Sequence, residues 1–348
     1  MQLSDIAAGV ALIAVIAYAV LGGADFGGGI WDIFARGPRR EEQREAIARA
    51  MGPVWEANHV WLIFVIVILF TAFPPAFAAL STGLFLVFHL VLVGITLRGA
   101  AFVFRAYGPR AGRTPARWGV IFGMASVITP VLLGMSLGSI SAGGLRVQDG
   151  NVRIEGTMPW LAPISLAIGA LALSICTYLA AVYLTVETRG ELREDFRRRA
   201  LLAGAFVVGL SVLTLPLLYL QASHLWSGLV SRQAAPVIAV GTGAALLSGW
   251  ALLRRRFRLA RAASLAQVAF LLFGWGLAQR PYLIYPDVTL QNAAAPDATL
   301  RFILYSLPFG MAILIPSLFF LFSVFKSEVS DVRDVPDANT EYSRAELG

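Results

Sequence analysis

One cysteine and three histidines are all that 348 residues hold of the side chains best suited to thiol and imidazole chemistry, and Lys326 is the only lysine. Cys176 stands alone in an apolar run, Ser174 to Tyr178, so a disulfide within the chain and a cysteine-based metal site are excluded. Charge is scarce too. Only 14% of residues are Asp, Glu, Lys or Arg, against about 25% in soluble domains. In their place, 57% of residues are hydrophobic and the mean hydropathy is +0.71. The first apolar run has no basic region before it and only Asp5 as an early charge, so a cleaved signal peptide is not expected. The formal charge of +7 does not point to nucleic acid, because the arginines fall in short clusters between apolar spans, as topogenic signals do.

These features predict an all-α, polytopic membrane protein. A hydrocarbon core of about 30 Å needs roughly 20 apolar residues per helix. That criterion gives about nine spans: 5–34, 56–79, 82–104, 118–140, 160–186, 200–220, 234–253, 262–284 and 302–325. Arginine clusters follow spans one (Arg36 to Arg49), three (Arg105 to Arg117), five (Arg189 to Arg199) and seven (Arg254 to Arg261), while the intervening loops are poor in arginine. The positive-inside rule then places the N-terminus outside and the C-terminus inside. The stretch 141–159 alternates around Asp149-Gly-Asn151, a hairpin signal. The stretch 280–301 carries too many prolines and polar groups to extend span eight. Residues 1–326 read as the transmembrane domain and 327–348 as a short polar cytoplasmic tail, with no soluble second domain.

Two neighbouring stretches carry the polar chemistry: Gly22-Gly-Ala-Asp-Phe-Gly-Gly-Gly-Ile-Trp31 and Gly52-Pro-Val-Trp-Glu-Ala-Asn-His-Val-Trp61. An intramembrane carboxylate is costly and is a functional-site hypothesis by default. The glycines do not form a nucleotide loop, since no strand precedes them and no Lys-Ser/Thr follows. Gly23 and Gly27 instead make a small-xxx-small pair that admits a close helix neighbour. Glu56 and His59 lie three residues apart, on one face of a helix. From the predicted topology, Asp25, Glu56, His59 and Arg98 share an inner-half level although they come from three helices. They form a candidate cluster for proton uptake. The plainer alternatives are an Asp25–Arg98 pair that only holds the bundle together and a Glu56 that serves the helix dipole. His89 is a candidate haem ligand, with hydrogen bonding across helices as the simpler role. His224 falls in an outer loop, exposed to solvent. Trp31, Trp55, Trp61 and Trp118 are expected to be interfacial anchors.

The two stretches above, with Leu97-Arg-Gly-Ala-Ala-Phe102 and Pro281-Tyr-Leu-Ile-Tyr-Pro286, resemble the hallmarks of subunit II of cytochrome bd-type quinol oxidases, a family that includes cyanide-insensitive members. The resemblance spans most of the chain. It implies a bacterial cytoplasmic-membrane heterodimer in which a larger subunit I holds the b haems, haem d in many members, and the quinol-oxidising loop. Subunit II supports the assembly, and in some members it is thought to deliver protons. The carry-over places the motif acids at Asp25 and Glu56, where some relatives have Asp at the second position, and puts His59 where some have Gln. On this reading the chain itself binds no haem or metal; quinol is the substrate of the complex, subunit I and membrane lipid are its partners, and a small accessory subunit is left open. The rival readings are a stand-alone proton-coupled transporter, which broken helices with buried acids would also suit, and a purely structural membrane subunit.

Overall fold

The structure is a computed structural model that describes residues 2–107, 114–148, 150–154 and 158–331, with side chains at all of these except 51–56, 105–107, 114–116 and 322–331. Its elements are α1 (Leu3–Ile33), α2 (Arg40–Ala72), α3 (Pro74–Gly83), α4 (Phe85–Tyr107), α5 (Thr114–Ala142), the hairpin β1 (Leu145–Gln148) and β2 (Asn151–Ile154), α6 (Pro163–Glu187), α7 (Gly190–Gln221), α8 (Ser223–Leu229), α9 (Ala235–Leu253), α10 (Phe257–Gln279), β3 (Tyr282–Ile284), β4 (Val288–Thr289) and α11 (Asp297–Asp331). Residues 1–300 form one compact unit. Residues from Arg301 onward form a second, in which α11 continues through Pro308 and Pro316.

Eight helices among the described residues are long and apolar enough to cross a membrane, and a ninth crossing is made if a bent pair counts as one. That pair corrects the expected continuous span 56–79. Ala57–Ala72 and Pro74–Gly83 meet at 119°, with the fully buried Phe73 between them. Pro74 lacks the N–H that would continue the ladder, yet its fixed φ suits a helix start, so one helix stops and another begins. Two helices also start well before their apolar windows. α2 begins at Arg40 and α7 at Gly190, because charged residues outside the hydrocarbon are still good helix formers. Span eight ends at Gln279, short of the expected 284.

α1 is the organising helix of the first unit, packed against α2, α5, α6 and α10. Its glycine stretch makes this possible. A β-carbon on Gly27 would collide with the main-chain carbonyl of Cys176, and one on Gly23 would lie 2.7 Å from Leu179. The small-xxx-small pair thus faces α6 and brings the two backbones together. Trp31 closes the contact by donating from Nε1 to the Thr177 carbonyl at 2.8 Å. It is buried, not the interfacial anchor expected of it.

Three of the four arginine-rich connections meet at one end of the bundle. Arg39 pairs with Asp195 at 2.8 Å, Arg255 approaches Glu194 at 3.7 Å, and Arg261 pairs with Glu187 at 3.1 Å. The other end gathers the N-terminus, the α2–α3 break, the hairpin and the β3–β4 segment. There Arg280 pairs with Asp5 at 2.8 Å, Arg146 with Asp287 at 2.8 Å, and the Ala295 N–H donates to the Ala72 carbonyl at 2.8 Å. The hairpin is antiparallel, with Arg146 opposite Arg153, and turns through Gly150 at φ +75. Asp149 of the expected turn lies outside the described residues, as do 332–348 of the expected tail.

Candidate functional site

Asp25 and Arg98 meet inside the bundle. Asp25 is 1% exposed and Arg98 2%. Arg98 donates from Nη1 to Asp25 Oδ2 at 2.6 Å, from Nη2 to Oδ1 at 2.7 Å, and from Nη2 to the Asp25 main-chain carbonyl at 2.9 Å. Its Nε donates to Ser126 Oγ at 2.9 Å, and that hydroxyl donates to the Phe122 carbonyl at 2.7 Å. The guanidinium is flanked by the rings of Phe26 and Phe122, 5.0 and 4.8 Å from its carbon. Three helices, α1, α4 and α5, therefore build one bidentate pair. Helix–helix contact makes room for it, since a β-carbon on Gly29 would strike Ser126 Oγ.

The pair sits in the half of α1 nearer the arginine-rich end. Asp25 is eight residues before Ile33, roughly 12 Å at 1.5 Å per residue. Two buried polar groups lie within a turn of it on neighbouring helices. Asn58 on α2 packs against Gly22, where an added β-carbon would be 2.9 Å from its amide atoms. Thr129 on α5 sits in the notch left by Gly94, one helical turn from Arg98. Asn58 Oδ1 and Thr129 Oγ1 are both buried and hydrogen-bonded to nothing among the described residues. Such groups are uncommon, and ordered water is a usual partner for them.

Asp32 is a second buried acid, seven residues beyond Asp25 and so on the same face of α1, about 10 Å closer to the arginine-rich end. Arg44 Nε lies 3.8 Å from its carboxylate. Sequence reasoning passed over Asp32 and Asn58, although both stand next to the motif residues; only the tertiary contacts show that they are buried.

The other expected site residues are placed as follows. Glu56 falls on α2 sixteen residues after its start, not in its first turns, so the dipole role is removed; its side chain lies outside the described residues, as does that of Trp55. His59 is half-buried on α2, next to Asn58. His89 is exposed on α4 and bonds within its own helix, Nδ1 to the Phe85 carbonyl at 2.8 Å, instead of across helices. His224, expected in solvent, is stacked on Tyr285 at 5.0 Å and edge-on to Tyr282 at 4.9 Å. Trp118 stacks on Phe104 at 4.6 Å, and Trp61 Nε1 is buried without a hydrogen-bond partner among the described residues. No group of three or more His, Cys, Asp or Glu among the described residues could hold a metal. At the other end, an apolar cavity of about 440 Å³ is lined by residues of α1 to α5, α10 and β3, with Asp5 and Arg280 among them.

The comparisons with known proteins agree on one family. The model of "Cytochrome bd terminal oxidase subunit II" matches residues 3–325. A Bacillus subtilis (strain 168) protein, provisionally named cytochrome bd menaquinol oxidase subunit II, is 25% identical over 332 residues, covering 92% of this chain and 94% of that one. Cytochrome bd-I ubiquinol oxidase subunit 2 of Escherichia coli (strain K12) is 29% identical over 195 residues, 55% of this chain and 50% of that one. The bd oxidase of Geobacillus thermodenitrificans contains a chain of the same fold, with a TM-score of 0.79 at 24% identity over 93% of this chain and 99% of that one. A family match over almost the whole length, on a bundle built around the buried Asp25–Arg98 pair, means that this chain belongs to the cytochrome bd terminal oxidase subunit II family.

Proposed function

We propose that this chain works as the subunit II half of a bacterial inner-membrane complex that oxidises quinol and reduces oxygen to water. A haem-bearing subunit I carries the redox chemistry, and this chain delivers protons from the cytoplasm. The observation that carries the proton role is the set of bare polar atoms around the ion pair: Asn58 Oδ1 and Thr129 Oγ1, each about a turn from Asp25 or Arg98. Two water-seeking groups beside an intramembrane carboxylate suit a hydrated proton path better than a dry brace. Asp32 extends the line of carboxylates toward the arginine-rich end, which the positive-inside rule assigns to the cytoplasm. Glu56 and His59, two residues before and one after Asn58 on α2, are the further titratable residues that we assign to this path.

Haem is assigned to the partner because the histidines here do not converge. His59 is on α2, His89 faces outward on α4, and His224, on α8, packs against Tyr282 and Tyr285. The haems, when bound in subunit I, supply the electron transfer; this chain supplies contacts and protons. Family membership sets aside the stand-alone transporter. Purification of a tagged chain in mild detergent tests the reading. A haem-containing subunit of similar hydrophobicity should accompany it, with a reduced-minus-oxidised haem spectrum. A colourless chain recovered alone from cells that make the partner would contradict it.

A further inference from the structure

At the arginine-rich end, the α1–α2 connection and the first turns of α7 enclose a concavity of about 280 Å³. Arg36, Arg39, Arg198 and Arg199 line it, with Asp195 as the one acid among the lining residues and Gln43 beside it. The acid is already engaged: Arg39 holds both Asp195 oxygens at 2.9 and 2.8 Å and also binds Glu191. Arg198 is 76% exposed and reaches Glu194 only at 3.9 Å. Arg36 is exposed, and its main chain, through N–H and carbonyl, is what Gln43 holds.

Arg199 is the unusual member. Its Nη2 donates to two neutral acceptors, Gln43 Oε1 at 2.7 Å and the Phe34 carbonyl at 3.4 Å. Its guanidinium lies over Trp31 at 5.2 Å and Phe196 at 5.4 Å. Its Nη1 is buried and hydrogen-bonded to nothing among the described residues. Asp195 acts on it through space while bonded to Arg39, and guanidinium groups suit the oxygens of a phosphate through paired N–H bonds. Basic pockets between helices at a membrane surface are built for such headgroups.

We propose that this concavity binds an anionic phosphate group, with the exposed Arg36 and Arg198 as its ligands and Arg199 adding positive charge from the lining. The phosphate would complete a brace from the end of α1, through Trp31 and Phe34, to α7.

The test is thermal unfolding of the delipidated, detergent-purified complex in three arms: phosphatidylglycerol, a phosphate-free galactosyl diacylglycerol, and inorganic phosphate against chloride at equal ionic strength. Phosphatidylglycerol should raise the midpoint by about 2–4 °C more than the glycolipid. A rise with phosphatidylglycerol alone identifies a lipid headgroup; an equal rise with inorganic phosphate identifies a free phosphate. The Arg36→Gln/Arg198→Gln variant alters exposed side chains and should fold normally while losing most of that increment, and Arg199→Gln should lose it as well. The proposal fails if phosphatidylglycerol matches the glycolipid and phosphate matches chloride, or if Arg36→Gln/Arg198→Gln keeps the full increment.

Discussion

Arg98 holds Asp25 by its side chain and its backbone at once, with Nη2 shared between Oδ1 at 2.7 Å and the main-chain carbonyl at 2.9 Å. The arginine is therefore tied to the axis of α1 as well as to the carboxylate. Removing the carboxylate leaves the cation anchored in place and uncompensated.

That relationship sets the sign of a double-mutant cycle. Breaking a buried pair from one side costs about 3–5 kcal/mol, because the other charge is stranded, whereas replacing both partners is often close to neutral. Arg98→Gln alone should therefore lower the stability of the purified complex by roughly that amount. Asp25→Asn combined with Arg98→Gln should cost clearly less than the sum of the two single changes. Additive losses in thermal or denaturant unfolding would show that the charges do not stabilise each other.

Gly27 tests the packing that creates the site. A methyl group there meets the Cys176 carbonyl and the Ala180 β-carbon, and backbone cannot yield as a side chain would. Gly27→Ala should destabilise by about 1–3 kcal/mol or more through overpacking. Gly9→Ala is the control, since nothing lies within 4 Å of its added methyl. Unfolding midpoints of the two variants should separate; equal midpoints would mean that α1 and α6 do not approach as closely as described.

The opposite end has its own acid-sensitive contact. Hydrogen bonds from Arg146 and then from the Val147 N–H hold the Asp287 carboxyl below the usual carboxylate range. A depressed folded-state value means that this contribution is complete above about pH 4, the ordinary value for Asp, and fades as the pH falls further toward the folded-state value. Proteolysis of the hairpin should accordingly accelerate below about pH 4. In Asp287→Asn it should already be faster at neutral pH, with a flatter acid response. An unchanged acid response in that variant would rule out Asp287 as the cause.

Orientation is open to a direct check. The arginine-rich end should face the cytoplasm, so a reporter fused after Leu347 should be active only in its cytoplasmic form. Periplasmic activity at that position would mean that one span is miscounted.

Much of this was legible in the sequence, for physical reasons. A charge inside an apolar span must be compensated, so matching depths offered an Asp25–Arg98 pair as one alternative, and the two side chains do pair. The arginine clusters obey the alternation of loops, and three of the four are seen to meet. Asp149-Gly-Asn151 marked the hairpin through turn chemistry. What hydropathy could not carry was direction. It averages over a window, so the 119° bend at Phe73 disappears into one apolar stretch. It also reads membrane, not helix, so the charged starts of α2 and α7 fell outside it. Burial of Asp32 and Asn58, and the outward orientation of His89, depend on which face of a helix meets a neighbour, and single-chain periodicity does not show that for helices apolar all round.

Proton delivery through Asp25 is tested by quinol-driven oxygen uptake by the complex carrying Asp25→Asn with Arg98→Gln. That change removes the titratable carboxyl while keeping the site neutral and near its original volume, so assembly and the haem spectrum should be retained. Turnover should fall by about tenfold or more, equivalent to ~1.4 kcal/mol or more on the barrier, with quinol affinity little changed. Wild-type turnover across the pH range, with the haem complement intact, would contradict it and leave the Asp25–Arg98 pair a structural brace.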